Sequence, residues 1–490
     1  MRPHLALLAS LASFAVLCSS ALAQEAFPPA AITDTGGERF ERQLEQIRRD
    51  TETRALADVP PEQRALIDYG GFLSFNYFSI DDAALNNHVL RQYELVGYAR
   101  INLDGAHELY LRGGTGYQDF NDQDSFNNFG DEIIEPDLER AFYRFDLNGW
   151  KRAHGQVPGD WNLIAQGGRD LVYWGNGVAM SQVLDGAIVS LTWGETTLEA
   201  VAGVTPTRTA DIDPSRPNFQ HNTRRGFYGA MLSHRAGQHR PYAYGLIQRD
   251  YNEDDVAFTG GVRTEFEYDS YYVGIGSTGA ITDRLLYGVE LVYEGGNTLS
   301  NSFVISGPTL VQVPQTEDSI HALAADARLD FLFLDRRNSR LSFELIAASG
   351  DPDRLTTSGT FGGNRPNTSD RAFNGFGLLN TGLAFAPTVS NVLIFRAGAL
   401  TFPLPEHSAF NRLQVGVDLF VFSKMAQDGP IDEATFDKRY LGFEPDFFLN
   451  WQISSDVTLA LRYGIFFPGS AIVSDDRPRQ FIGAGVTYAF

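Results

Sequence analysis

The last twelve residues, RQFIGAGVTYAF, alternate without interruption from Arg479 to the aromatic carboxy terminus at Phe490. Ile482, Ala484, Val486, Tyr488 and Phe490 share one face, and Phe481, Gly483, Gly485, Thr487 and Ala489 share the other. Successive side chains of a strand point to opposite faces. A strand with one continuous apolar face and one face of small residues suits a wall between hydrocarbon and an aqueous lumen. Tyr488 and Phe490 then read as the signature that a barrel presents to its assembly machinery.

The same unit recurs upstream. Leu95, Gly97, Ala99, Ile101 and Leu103 alternate with Glu94, Val96, Tyr98, Arg100 and Asn102. Leu323, Ala325, Ala327, Leu329 and Phe331 alternate with Ala324, Asp326, Arg328 and Asp330. Tyr287 to Tyr293, Leu413 to Leu419 and Val457 to Phe467 repeat the pattern, with Glu290, Glu294, Asp418 and Arg462 on the opposite faces. From Gly70 onward there are about 18 such runs, an even number of the kind bacterial barrels use. No internal stretch reaches the about 20 apolar residues of a membrane-crossing helix, so the backbone would be satisfied in lipid only by a closed sheet. The expected fold is all-β: a transmembrane antiparallel β-barrel with a short helical segment at its amino end.

That amino end divides in two. Residues 1–23 carry Arg2, an apolar stretch from Leu5 to Leu17 and the small-x-small site Ala21-Leu22-Ala23, which together read as a signal peptide. Residues 24–67 open on Pro28 and Pro29 and place Phe40, Leu44 and Ile47 at helical spacing, a short amphipathic helix on the periplasmic side. Residues 68–490 are the expected barrel. The single cysteine, Cys18, falls in the signal, so the mature chain is expected to hold neither disulfides nor a thiolate metal site. A bacterial outer-membrane location follows from the two ends together.

Composition narrows the partners. The 48 glycines, 36 phenylalanines and 20 tyrosines suit close strand packing and interfacial aromatic girdles. A net charge of −22 disfavours nucleic acid. Lys151, Lys424 and Lys438 are the only lysines, so nearly all positive charge is the planar, permanently protonated guanidinium that pairs with carboxylates or lines an anion path. The acidic run Asp119 to Glu132 fails calcium-loop spacing and reads as a solvated loop. Thr278 to Asp283 and Thr388 to Asn391 read as short periplasmic turns. Asp119 to Glu135, Pro206 to Thr223, Asn297 to Asp318, Gly350 to Asn374 and Ala426 to Lys438 read as long loops, external or folded inward.

Three segments resemble the alginate-export porins. QGGRDLVYWGNG keeps Gly168 and Arg169, with Asp170 in place of the family's glutamine. LGFEPDFFLNW keeps Gly442, Glu444 and Asp446 at the family's spacing. LRYGIFFPGSAI keeps Arg462, Gly464, Phe466, Pro468 and Gly469, with Phe467 where the alginate exporter has a lysine. The resemblance implies an outer-membrane barrel that passes a polar or anionic carbohydrate polymer through a basic tunnel, one basic position of which has here become Phe467.

Taken with the strand faces, the pore-lining candidates are Arg100, Arg140, Arg144, Arg169, Glu290, Asp326, Arg328, Arg396, Asp418, Glu444, Asp446 and Arg462. These are expected to line a passive channel or to brace it by internal ion pairs. Catalysis is not expected. There is neither His-Glu-x-x-His nor Gly-x-Ser-x-Gly, and the GxGxxG of Gly274, Gly276 and Gly279 sits within a strand pattern rather than before a helix. No cofactor or metal is expected. A barrel with a blocked lumen, serving as a structural or adhesive surface protein, and a barrel hydrolase are the alternatives.

Overall fold

A computed structural model describes residues 65–122, 124, 130–207, 209, 223–252, 256–259, 262–306, 309–354, 363–473 and 477–490. The expected signal and amino-terminal helix lie outside the described residues. Eighteen strands close into one antiparallel sheet. They begin β1 (Ala65–Asp81), β2 (Asn87–Leu103), β3 (His107–Phe120), β4 (Glu132–Asp146), β5 (Trp161–Tyr173) and β6 (Ser181–Trp193). They continue β7 (Thr196–Val204), β8 (Arg225–His234), β9 (His239–Asp250), β12 (Tyr268–Thr282) and β13 (Leu285–Leu299). The last are β16 (Glu317–Leu332), β17 (Arg340–Ala348), β18 (Val392–Thr401), β19 (Leu413–Lys424), β20 (Tyr440–Gln452), β21 (Val457–Pro468) and β22 (Arg479–Ala489). Two hairpins stand outside the barrel wall, β10 (Val256–Thr259) with β11 (Val262–Glu265), and β14 (Phe303–Ser306) with β15 (Thr309–Gln312).

Closure runs through the carboxy terminus. β22 pairs with β1 from Phe72 opposite Ala489 to Ile80 opposite Phe481. Beyond the strand, Gly71 N–H donates to Phe490 O at 3.0 Å and Phe490 N–H donates to Gly71 O at 2.9 Å. The alternating pattern of the last segment is therefore the seam of the barrel, and it leaves no unpaired sheet edge.

The two faces separate as the alternation requires. Leu73, Phe75, Leu109, Leu111, Leu291, Leu323, Leu345, Phe395, Leu419, Leu461 and Val486 all stand exposed on the outer surface. Each large aliphatic side chain left in water forgoes about 1.5–3 kcal/mol of burial, a cost that vanishes when the surface meets hydrocarbon. Their sequence neighbours point inward and are buried or polar: Ser74, Asn76, Glu108, Tyr110, Val292, Ala324, Arg396, Phe420 and Thr487.

One end of the barrel carries short connections, at 104–106, 194–195, 235–238, 283–284, 333–339 and 453–456, with a somewhat longer one at 402–412. The other end carries the long ones, which sets the short end toward the periplasm. At the short end sits one helix, α1 (Leu147–Ala153), whose amino end is capped by Asp146 accepting from Gly149 N–H. A Cβ on Gly149 would fall 2.2 Å from Gly105 O, so glycine lets the helix lie against the β2–β3 turn. Residues 283–284 are a periplasmic turn, later than the expected Thr278 to Asp283 because β12 runs on to Thr282. Thr388 to Asn391 is not. It closes a long segment between Ala348 and Val392 at the extracellular end, because the apolar residues before it do not form strands but fold into the lumen.

Candidate functional site

Among the described residues, the lumen is built from inward-facing residues of the strands and from chain that enters it, above all two stretches. The first is short, from Trp174 to Met180. Trp174 Nε1 donates to Glu199 at 2.8 Å, and Ser181 N–H donates to Phe376 O at 2.8 Å. Asn176 ties the turn to the facing wall: its backbone N–H donates to Glu290 and its Nδ2 donates to Asp326 at 2.7 Å. Gly175 and Gly177 have φ of +61° and +83°, and a Cβ on Gly175 would fall 2.5 Å from Glu290 Oε2. Only glycine allows both the left-handed turn and this approach.

Glu290 is reached from the strands as well. Tyr244 hydroxyl donates to Glu290 Oε1 at 2.5 Å, and Tyr242 hydroxyl donates to Oε2 at 3.4 Å. Both rings lie across β12 where it has no side chains. A Cβ on Gly274 would fall 2.1 Å from the Tyr244 ring, and one on Gly276 would fall 2.3 Å from Tyr242. The GxGxxG pattern is thus a tyrosine bed in a barrel strand.

The second stretch covers 363–391. Arg354 and Asp370, both buried, form an ion pair at 2.5 Å. Asn374 N–H donates to Glu294 at 2.8 Å, and Tyr268 hydroxyl donates to the same carboxylate at 2.5 Å. Leu378 N–H donates to Gly177 O at 2.9 Å, which joins the two stretches. Farther on, Glu444 accepts three consecutive backbone N–H groups, from Leu383 at 2.6 Å, Ala384 at 2.7 Å and Phe385 at 2.9 Å. Phe385 stacks on Phe466 with centroids 4.2 Å apart. Trp174, Met180, Phe373, Phe376 and Leu379 complete an apolar cluster with Phe227, Tyr272, Ile394, Phe420 and Phe422 of the wall. Five strand carboxylates, Glu199, Glu290, Glu294, Asp326 and Glu444, therefore hold chain inside the barrel that apolar burial alone would not orient.

On β2 to β5 the inward face is cationic and aromatic. Arg100 pairs with Glu108 at 2.8 Å and Arg144 with the same carboxylate at 2.5 Å. Arg112 pairs with Glu139 at 2.6 Å, and Arg140 pairs with Asp170. Tyr98, Tyr110 and Phe142 stack in a row, with the Arg140 guanidinium 5.9 Å from the Tyr110 ring. On β16 to β21, Arg328 pairs with Asp330 at 3.5 Å, and Arg396 lies between Glu344 at 3.0 Å and Asp418 at 3.8 Å. Arg462 also points inward, its guanidinium 5.7 Å from the Phe448 ring and donating to Leu461 O at 2.9 Å. Among the described residues no carboxylate lies within ion-pair distance of it.

The sequence candidates sort into three groups. Arg100, Arg140, Arg144, Arg328, Arg396, Asp418 and Arg462 face the lumen. Glu290, Asp326 and Glu444 are inward but buried, and serve as anchors for the entering chain, with Asp446 buried on the same face beside Glu444. Arg169 is a correction. It stands opposite Ala141 on one side and Asp185 on the other, the face that carries the exposed Val189 and Val204, and it binds Asp185 at 2.7 Å on the outside of the barrel. Asp170, its neighbour, takes the lumen position. Phe467 corrects the same kind of inference. It is exposed on the outer face with Leu461, so it is a lipid-facing residue and no basic lining position was lost there. Arg112, Glu108, Glu139 and Asp170 completed the inward charges without having been singled out. For Arg112 and Glu108, two residues from Tyr110, and Asp170, two from Val172, alternation was the available signal; Glu139 is next to Arg140 at a register shift, which alternation does not reveal.

Solved structures share this architecture at low sequence identity. OccAB2 of Acinetobacter baumannii aligns with 12% identity over 86% of this chain and 98% of its own, at a TM-score of 0.51. OccAB3 of the same organism gives 11%, 86%, 99% and 0.51. Pseudomonas aeruginosa OpdK, in a structure with vanillate, gives 10%, 86%, 98% and 0.50. The fold is that of an 18-stranded bacterial outer-membrane porin. No family model matches the sequence, and no curated protein matches it. The similarity thus rests on the barrel, and the resemblance to alginate exporters gains no support from it.

Proposed function

We propose that this barrel is a passive diffusion channel for a small polar solute bearing negative charge. The observation that carries the reading is which member of each ion pair meets the lumen water. The Arg144 side chain is 20% exposed against 6% for its partner Glu108, and Arg328 and Arg340 are 28% and 45% exposed against 14% for Asp330. Glu139, at 38% against 13% for Arg112, and Asp418, at 19% against 10% for Arg396, run the other way. Guanidiniums whose counter-charges sit behind them present donors in a fork suited to a carboxylate or phosphate. Tyr98 adds an aromatic edge beside them, backed by the buried rings of Tyr110 and Phe142. An ion path lined in this way selects by the charge of its rings and by its width.

A polymer is the poorer fit. The residues that resemble the alginate exporters, Gly442, Glu444, Asp446 and Gly464, lie where the second stretch is anchored. A Cβ on Gly464 would fall 2.6 Å from Asp446 Oδ1 and 2.9 Å from Leu383 Cβ. They support an inward segment that narrows the lumen rather than a lining for a long chain.

Planar-bilayer reconstitution tests this. The expected result is a stable conductance, with a reversal potential in a salt gradient favouring anions and with block by millimolar vanillate or uronate. Absence of conductance would favour a blocked structural or adhesive barrel, and a cation preference would overturn the assigned charge.

A further inference from the structure

Most inward guanidiniums of the lumen carry their own counter-charge. Arg100 and Arg144 share Glu108, Arg112 holds Glu139, Arg140 holds Asp170, and Arg396 lies between Glu344 and Asp418. Arg462 is held differently. Its Nη1 donates to Leu461 O at 2.9 Å and to Leu449 O at 3.3 Å, and its guanidinium lies 5.7 Å from the centre of the Phe448 ring. All three partners are neutral. A guanidinium bonded to a carboxylate presents a dipole to a passing ion, whereas one held by a ring and two carbonyls presents most of a unit charge.

The ring is itself placed by a glycine. Gly416 of β19 stands opposite Phe448 of β20, and Phe448 stands opposite Arg462 of β21, so the three form one row across the inner wall. A Cβ on Gly416 would fall 2.1 Å from Phe448 Cζ. The ring therefore takes the space above Gly416, with Arg462 on its other flank. Beyond Arg462 the next strand offers Gly483, where a Cβ would fall 3.4 Å from Arg462 Cβ. Two residues along β21 on the same face, a Cβ on Gly464 would fall 2.9 Å from Leu383 Cβ of the inward stretch. Arg462 thus stands one inward position to the periplasmic side of the narrowing, half-buried as Phe448 is, among residues too small to shield it.

We infer that Gly416 and Phe448 are positioning residues that set the charge preference of the channel through Arg462, a role that rests on the proposed anion path. Two carboxylates show what they prevent. Asp418 lies two residues from Gly416 and Asp446 two residues from Phe448, each on the same inward face as its neighbour. Without the ring, a guanidinium on a flexible stem swings toward one of them and pairs as the other arginines do, which cancels the charge offered to a solute. A cation–π contact at a site open to water is worth about two- to fivefold in such an equilibrium.

The test uses the full-length protein in planar bilayers, with the chloride-to-potassium permeability ratio read from the reversal potential in a potassium chloride gradient. Phe448→Leu should lower the ratio about two- to fivefold, and Phe448→Tyr, which keeps the ring, should restore most of it. Gly416→Ala, which drives a methyl into the ring, should lower the ratio as Phe448→Leu does. Heat-modifiable migration reports whether each variant is folded, and Gly416→Ala carries the test if Phe448→Leu does not assemble. In an Arg462→Ala background, Phe448→Leu should change nothing further. A full effect of Phe448→Leu in that background would overturn the inference, because the ring would then act on the width of the lumen alone. A native ratio in Phe448→Leu, with Arg462→Ala lowering it, would also overturn the inference while the anion channel stood. If Arg462→Ala leaves the ratio as it is, the assigned charge of the channel falls, and this role of Phe448 with it.

Discussion

Replacing Glu444 by glutamine keeps the shape of the side chain and changes what it can accept. In the native barrel Leu383 and Ala384 both donate to Oε1, and Phe385 donates to Oε2. A glutamine can set its single oxygen toward the first two, but its amide nitrogen then faces the Phe385 N–H, donor against donor. Hydrogen bonds to a charged group are worth about 1.5–3 kcal/mol and neutral ones about 1, so the two retained bonds weaken by about 2 kcal/mol together. The buried Phe385 N–H left without an acceptor adds about 1–3 kcal/mol. The sum, about 3–5 kcal/mol, exceeds the stacking of Phe385 on Phe466, which contributes about 0.5–1.5 kcal/mol beyond its area. The stretch around 382–387 should therefore detach from the wall, while Asn374 and Leu378 hold the earlier part in place.

Two measurements follow from that local opening. Amide exchange at Leu383, Ala384 and Phe385 should accelerate by about a hundredfold or more, since each 1.4 kcal/mol is tenfold in an opening equilibrium. Single-channel records should show a larger mean conductance with added flicker, because the freed stretch no longer holds one position in the lumen. Unchanged exchange together with unchanged conductance would refute the argument that one carboxylate positions this segment.

Four further outcomes are expected. Arg462→Ala should move the reversal potential toward cations with assembly unaffected, since it removes an inward charge that has no carboxylate partner among the described residues; loss of stability with unchanged selectivity would assign it to bracing instead. Arg169→Ala should leave selectivity untouched, because the side chain lies outside the barrel with Asp185, and any selectivity shift measured in the same bilayer assay would contradict that placement. Gly274→Val should force the Tyr244 ring off β12, costing about 1–3 kcal/mol of overpacking plus its bond to Glu290, and should lower the temperature at which the folded band disappears on a gel. Phe490→Ala keeps the backbone bonds to Gly71 and should slow assembly in cells while leaving the melting of assembled barrel near native; equal assembly rates would remove Phe490 from the recognition signature.

The barrel was legible in the chain because its determinant is local. Alternation at Leu95 to Leu103, Leu323 to Phe331 or Ile482 to Phe490 fixes which face meets lipid from residues two apart, and the structure keeps each of those faces. Strand number followed from counting. The interior was legible only in part. Glu290, Asp326 and Glu444 were visible as inward charges, but their role depends on Asn176 and on Leu383 to Phe385, partners 114, 150 and about 60 residues away in the chain. Nothing in the alternation of β13 announces a glycine turn arriving from beyond β5. The short stretch Trp174 to Met180 carries that information as Gly175 and Gly177, whose left-handed backbone marks a tight turn without stating where it lands.

The sign of the channel shows the same limit from another side. A residue's charge matters to a passing solute only if parity puts it inside, and parity is lost wherever a bulge or a strand end intervenes. Register shifts occur in β3 and β4 at Arg112 to Gly116, beside the stretch where Asp137 and Leu138 meet Arg169. Counting by twos through such a place exchanges the faces. Arg169 reads as lining for a different reason, its place in a motif shared with a similar family, whereas β5 holds unbroken register with β4 and β6 and turns Asp170 inward. Phe467 carries the complementary lesson: an apolar residue at a position that is basic in a similar sequence says nothing of the lumen when its strand turns it toward lipid. The proposed anion preference therefore rests most firmly on Arg462 and Arg100, whose strands pair without a register shift on both sides.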